Sequence, residues 1–499
     1  MDHWAWNYEE APENDLMEVV DSSESSELAS NEESVNGDDE VQELTENPTE
    51  HKYIFCDVSK IIEIIQKCRK CENPRTNIHV RYQGLTVWIT VICDECSETH
   101  HWSNTKLCDS KQERNKKKLT ELHLDITSSI ITSGNSFQSI KGMFDALNSP
   151  FFTPQTFNRL KSKYVYDAIG VYYNQEMEKV VEVLQQRVSA SESLHLCGDG
   201  SFDSRGHSAL FCRYVIMDAV SKLVINYEVI QRKSGDARID MEKVGCEKSL
   251  QKVVEEMRDE HGESAVSSFT TDRSKSVALM ISKKFSNIDH FFDSWHYIRG
   301  IALEVFRQCS FYKFKIVYEC EHQDIRDYGE DDEFLSLKNK KDVKALNILM
   351  STLEKGDKLN AIKRVSPFYA TSSVESFNAR AAFYACKDHF YTNDGFKIRT
   401  QLAVIDWNSK KFEEASGIRQ VIGEKPFYNK TTKQYSTREL KTPANYSWRR
   451  EILNIAMRIR FDESRDVGDD DDEGTEGGAE SYDDHDFDPD DCTESQSVN

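Results

Sequence analysis

No stretch of this 499-residue chain approaches the roughly eighteen uncharged apolar residues that a membrane-spanning helix needs. The nearest, GLTVWITVIC at 84–93, is about half that length and is bracketed by charge, so a soluble protein with no membrane partner is expected. Met1 opens an acidic segment with neither a positive start nor an apolar stretch, which predicts no secretory leader. Thirteen cysteines in such a chain are then expected as thiols or metal ligands and not as a disulfide framework.

Basic residues are missing where acid is concentrated. Residues 1–50 hold seventeen Asp or Glu and no Lys or Arg, and 462–499 hold seventeen against Arg465 alone. Of the formal charge of -24, the two ends therefore carry -17 and -16, which leaves +9 for 51–461. Both ends are poor in large apolar residues, so burial cannot offset their ordering entropy, and disordered acidic tails are predicted over 1–50 and 461–499.

Cys68-x-x-Cys71 and Cys93-x-x-Cys96 are separated by twenty-one residues. Two such pairs suit tetrahedral Zn²⁺, because each short turn presents two sulfurs and the segment between returns the second pair to the first. That segment alternates like two strands about a turn at Gly84, which predicts a zinc ribbon over 51–110. A Cys₄ site is closed, so its expected role is a structural staple. His100 and His101 are spare ligand candidates, although SETHHW reads better as the last ribbon strand. KQERNKKK at 111–118 is a solvated basic linker or an import signal.

Residues 119–190 read as helical. Ile126, Ile130 and Ile131, then Phe137, Ile140, Phe144 and Leu147, recur at helical spacing on either side of Gly134 and Asn135. Thr153 and Pro154 suit the cap and first turn of a third, longer helix that carries Arg159, Lys161 and Lys163. The trio is either the groove-facing set of a helix-turn-helix-like DNA-binding domain or the outer face of a helical hairpin.

From 191 to 460 the pattern becomes α/β: three short apolar strands in a meander, a helix, then strand, helix, strand, helix. This is the order of a ribonuclease H-like domain, with a helical insertion expected at about 311–365. In that order the ends of the first and fourth strands are neighbours, which would bring Asp199 beside Asp272, and Glu375 would arrive from a later helix. Three such carboxylates suit a pair of Mg²⁺ or Mn²⁺ ions. Each acid also has a plainer reading: Asp199 as a turn former, Asp272 as a helix N-cap, Glu375 as the acid of a Ser372-x-x-Glu375 capping box. Asp203 is expected beyond the strand in the hairpin, and Gly198 and Gly200 are read as leaving room for metal and phosphate.

The stretches GDGSFDSRGHSALFCRYVIMD, TTDRSKSVALMISKKFSNIDHFFDSWHYIRGI and SPFYATSSVESFNARAAFYAC resemble eukaryotic cut-and-paste DDE transposases, closest to the Kolobok and Mutator-like groups. The resemblance covers roughly 120–450 and puts the family's three acids on Asp199, Asp272 and Glu375. It gives Asp293 and His296, in DSWH, a support role near them. It implies a nuclear, homo-oligomeric protein acting on double-stranded DNA at transposon ends through Mg²⁺ or Mn²⁺. Two departures stand out: the segment 297–372 is short for the family's helical insertion, and an acidic tail stands where some relatives carry a THAP-type finger. They leave a second reading open, a domesticated, catalytically inactive DNA-binding or chromatin-associated protein.

Overall fold

The computed structural model describes residues 53–106, 120–204, 208–233, 239–258, 261–262, 264–298, 300, 340–355, 358–366, 369–387, 389–429 and 434–466. Both acidic tails except residues 461–466, the linker 111–118 and the larger part of the expected insertion lie outside them. The described residues form two compact units, one of 177–383 with 407–411, the other of 53–176 with 384–406 and 412–466.

The second unit begins with α1 (Val58–Ile65), whose first turn is closed by Asp57 accepting from Ser59 N at 2.8 Å. Strands β1 (Thr76–Gln83), β2 (Thr86–Cys93) and β3 (Thr99–Ser103) follow as one antiparallel sheet. Gln83 faces Thr86, so Gly84 and Leu85 make the turn, and the φ of +53° at residue 84 is where glycine is needed. Val87, Ile89 and Val91 alternate inward from β2 and pack with Ile61, Ile62, Ile65, Ile78, Val80 and Trp102.

Next come α2 (Glu121–Thr132), α3 (Phe137–Ala146) and α4 (Pro154–Leu160). Thr153 caps α4 as its sequence predicts, with Thr156 N donating to Oγ1 at 3.3 Å. The long third helix has a π turn at Lys161–Val165 before it continues as α5 (Tyr166–Ser189).

The first unit holds the meander β4 (Leu194–Phe202), β5 (Phe211–Asp218) and β6 (Val224–Gln231). Then come α6 (Met241–Glu256), β7 (Val266–Thr271), α7 (Lys275–Lys284) and β8 (Asp289–Phe292). The sheet order is β6-β5-β4-β7-β8, antiparallel through the meander and parallel from β4 to β7 to β8. Every residue of β5 is buried, so this strand is covered on both faces. Helix α6 lies so close to it that a Cβ on Gly245 would stand 2.7 Å from the Tyr214 Cβ. Phe269, Tyr214, Leu194 and Leu196 fill the core, each contributing about 1.5–3 kcal/mol by burial.

Helices α8 (Lys340–Glu354) and α9 (Lys358–Ile362) precede the step that matters most for the site. Phe292 N donates to Arg364 O and Ser366 N to Phe292 O, at 2.6 and 2.8 Å, so the chain runs briefly parallel to β8 before entering α10 (Ser372–Tyr384). Helix α11 (Asn393–Ala415) contributes Trp407 and Asn408 to this unit. Asn408 accepts from Val224 N and donates to Val224 O, both at 2.9 Å, and so continues the pairing of the outer strand β6. Strands β9 (Val421–Asn429) and β10 (Gln434–Lys441) form a hairpin in the second unit, where α12 (Ser447–Asp466) packs on α2 and the π turn.

Candidate active site and metal centre

Parallel pairing of β4 with β7 sets Cys197 against Thr270 and Gly198 against Thr271, so the next residues on the two strands are Asp199 and Asp272. Asp199 is a strand residue and not a turn former: β4 runs three residues past it to Phe202, and Asp199 faces Val215 on β5. It stands where the parallel ladder stops and the antiparallel one continues. The hairpin position belongs to Asp203, which accepts from Leu210 N at 3.0 Å.

The N-cap of α7 is Ser274, not Asp272, which leaves the Asp272 carboxylate for other partners. Thr371 Oγ1 donates to it at 3.4 Å, and His296 Nε2 lies 3.6 Å away. The same imidazole bonds Glu375 Oε1 at 2.5 Å, so Glu375 faces the other acids instead of closing a capping box. Asp293 is buried behind them. It accepts from His296 N at 3.0 Å, which starts the helical turn at 294–298, and from Thr371 N at 2.7 Å, which fixes the entry to α10. One carboxylate thus orients both His296 and the helix carrying Glu375.

Three further side chains belong to the constellation, and none was singled out in the sequence. Asn378, one turn after Glu375, donates to Asp199 Oδ2 at 3.1 Å, while Gly200 N donates to Oδ1 at 2.7 Å. Its i, i+3 spacing from Glu375 was the available signal. Glu242, in the first turn of α6, reaches over β4, its Cγ 2.9 Å from where a Cβ of residue 200 would sit. Its position reads as an ordinary acidic first turn. Thr371 carried no pattern at all. The space beside Gly198 is filled by the Phe269 ring, and that beside Gly200 by Glu242, so these glycines make room for side chains and not for ligand.

The electrostatics follow from crowding. Burial first, then Asp272, Glu242 and Glu375, push Asp199 up to about 7. Burial, with Asp240 and Asp272, pushes Glu242 up to about 7 as well. Asp272 is raised by burial and by its acidic neighbours, against the opposing pull of His296. His296 is raised, chiefly by its bond to Glu375. Buried acids that raise one another disfavour their own charge unless a cation joins them, although no three of these ligand atoms lie within 4.8 Å of one another. Asn378 Oδ1, buried beside Asp199 without a hydrogen-bond partner, is one more oxygen of the hard type that Mg²⁺ and Mn²⁺ prefer.

A separate group that could hold a metal ion is Cys68, Cys71, Cys93 and Cys96, whose sulfurs all lie within 4.8 Å of one another. Among the described residues this is the one group of ligand atoms gathered so tightly. The separations Cys68–Cys96, Cys71–Cys93 and Cys71–Cys96 are 3.6, 3.6 and 3.5 Å. Tetrahedral Zn–S bonds of about 2.3 Å would put sulfurs about 3.8 Å apart. Backbone N–H groups of Cys71 and Lys70 lower the Cys68 thiol to about 6. His100 Nε2 accepts from Arg69 N at 3.2 Å and stands 4.0 Å from Cys68 Sγ, while His101 bonds Thr90 at 3.2 Å, so both histidines are engaged in β3 as its strand reading anticipates.

Of the basic trio, Arg159 on α4 and Lys163 on the π turn are exposed. Lys161 lies over Phe157 and Tyr166, and Lys163 over Tyr164, with ammonium-to-ring distances of 5.4–5.8 Å.

No helix among the described residues is long and apolar enough to cross a membrane. No curated protein matches the chain. The family described as Mutator-like transposase matches residues 52–323, a span that holds the four cysteines, Asp199, Asp272, Asp293 and His296 and ends before Glu375. Matched in this way over more than half its length, the chain belongs to the Mutator-like transposase family.

Proposed function

We propose that the chain is a DDE-type transposase, cleaving DNA at transposon ends and joining the freed 3'-hydroxyl to a target strand. The observation that carries this is the parallel β4–β7 pairing, which sets Asp199 beside Asp272, with Glu375 tied to the same place through His296. The α/β domain expected over 191–460 is then ribonuclease H-like, its sheet lying in the unit of 177–383 with 407–411, and Asp199, Asp272 and Glu375 would hold two Mg²⁺ or Mn²⁺ ions. When bound, such ions would activate the attacking water or hydroxyl and stabilise the leaving oxygen.

The protein's own groups prepare that site. Asn378 and Gly200 N orient the two oxygens of Asp199. Asp293 positions His296 and Thr371, and through them Asp272 and Glu375. The hydrogen bond between His296 Nε2 and Glu375 Oε1 keeps that carboxylate turned toward Asp272, to which the same nitrogen lies 3.6 Å away. The Cys₄ cluster takes Zn²⁺ as a closed staple for the ribbon. Ribbon and helices of 51–190, with Arg159, Lys161 and Lys163, supply the contacts to double-stranded DNA. Nuclear residence and a homo-oligomer that pairs two transposon ends complete the reading.

The test is purified, zinc-loaded protein with duplexes carrying the inverted ends of the cognate element. Mg²⁺- or Mn²⁺-dependent nicking and joining are expected. Asp199→Asn should lower both by at least about a hundredfold, since loss of even an outer-shell partner costs about 10–100-fold. Activity unchanged in that variant, or no metal-dependent cleavage at all, overturns the proposal.

A further inference from the structure

We propose that Arg364, His290 and Thr271 form a positioning relay through which the return segment at 364–366, docked on β8, fixes the backbone at Asp272; this rests on the DDE reading of the site. The relay begins with the pleat. Strands β7 and β8 pair in parallel with Phe269 against His290 and Thr271 against Phe292, so these four side chains share one face of the sheet. Thr271 is the last residue of β7, and Asp272 comes next.

Hydrogen bonding along this face has one possible direction. Arg364 Nη2 lies 2.6 Å from His290 Nδ1, and a guanidinium can only donate, so Nδ1 accepts and the proton of the neutral ring sits on Nε2. Nε2 lies 2.9 Å from Thr271 Oγ1 and donates to it. The Thr271 hydroxyl in turn donates to Asp272 O, also at 2.9 Å. A second proton on His290 would set two donors face to face at Nδ1, and burial together with the Arg364 charge holds the imidazole down to about 3. The ring is a fixed neutral link and not an acid or a base. Arg364 is held on the same face, its guanidinium 4.6 Å over the Phe292 ring while its carbonyl accepts from Phe292 N. It lies on the segment that leads to Thr371 and the first turn of α10. The stretch of chain that brings in Glu375 thus also sets the peptide that carries Asp272.

Thr271→Val keeps the β-branched shape and removes the hydroxyl, and Thr271→Ser restores the hydroxyl. In full, zinc-loaded protein with Mn²⁺ and duplex transposon ends, Thr271→Val is expected to lower kcat for nicking by about tenfold or more with KM for DNA unchanged, and Thr271→Ser to recover most of the rate. Arg364→Leu, at a half-buried side chain, carries the same test should the strand variant fail to fold. It should lower kcat in the same direction, and ¹⁵N spectra of histidine-labelled protein, with His290→Gln marking the signal, should change in it from one Nε2–H tautomer to a mixture. Parent-like kcat per folded molecule in Thr271→Val or Arg364→Leu, or one unchanged tautomer in Arg364→Leu, overturns the relay; with Asp199→Asn inactive, the DDE site stands without it. If Asp199→Asn nicks like the parent, or the parent does not nick, the site itself has been misread and the relay falls with it.

Discussion

Asp199→Asn, studied in zinc-loaded protein without added Mg²⁺ or Mn²⁺, isolates the cost of crowding carboxylates. In the unfolded chain this aspartate releases its proton near pH 4, and in the folded chain at about 7. Between those values the folded state binds the extra proton. Stability contributed by this group is therefore full below about pH 4, falls as pH rises through the window, and is lost above about 7. At about 1.4 kcal/mol per pH unit, the interval from 3.8 to about 7 amounts to about 4 kcal/mol of penalty on the charged form. That figure is already net of the bond from Gly200 N, so nothing further is deducted for it. Asp199→Asn should accordingly be more stable than the parent by about 4 kcal/mol at pH 8 and nearly indistinguishable from it at pH 4. In a unit of this size that is a rise of about 8–16 °C in the thermal midpoint, measured by circular dichroism at the two pH values. A variant destabilised equally at both pH values would show that Asp199 is held by its hydrogen bonds and that crowding is not what sets its ionisation.

Three further expectations concern the rest of the molecule. Cys96→Ser should drop zinc from one ion per chain to a small fraction, measured with a chromogenic chelator after denaturation, and expose the β1–β2 hairpin to protease; full zinc content in the variant refutes the Cys₄ assignment. Gly245→Ala should cost about 1–3 kcal/mol in denaturant unfolding, because its Cβ collides with backbone-anchored Tyr214 Cβ. Gly142→Ala, with nothing within 4 Å, should stabilise α3 by about 0.5–1 kcal/mol, and equal effects at the two sites would contradict the close approach of α6 to β5.

What could be read ahead of the structure depended on range. The zinc ribbon is local: two Cys-x-x-Cys turns, an alternating segment and Gly84 at φ +53° lie within thirty residues and need no tertiary information. The strands of the sheet were legible for a related reason, since each short apolar run is bounded by turns, and their order alone made Asp199 and Asp272 neighbours. Caps were harder. Asp272 and Ser274 are both good N-cap residues two positions apart, and only the backbone path shows that the serine takes the cap and frees the aspartate. Glycine composition was legible as space, but what fills it was not: Phe269 comes from the neighbouring strand, and Glu242 from a helix more than forty residues on.

Glu375 reaches the site by a route that no periodicity encodes. The chain leaves β8 at Asp293 and returns through Val365 to the same strand edge, which lets Thr371 drop onto the Asp293 carboxylate. From that anchor the first turn of α10 carries Glu375 to His296 and the next position on its face, Asn378, to Asp199. The spacing of the acids in sequence is therefore free to vary with whatever lies between 298 and 364, because the sheet edge and Asp293 reset the register after it. The length of the insertion therefore does not set the position of Glu375, and shortness by itself is no argument for a silent protein. Asp293, whose buried carboxylate serves both the His296 turn and the α10 entry, ties the positions of His296 and Glu375 to one anchor.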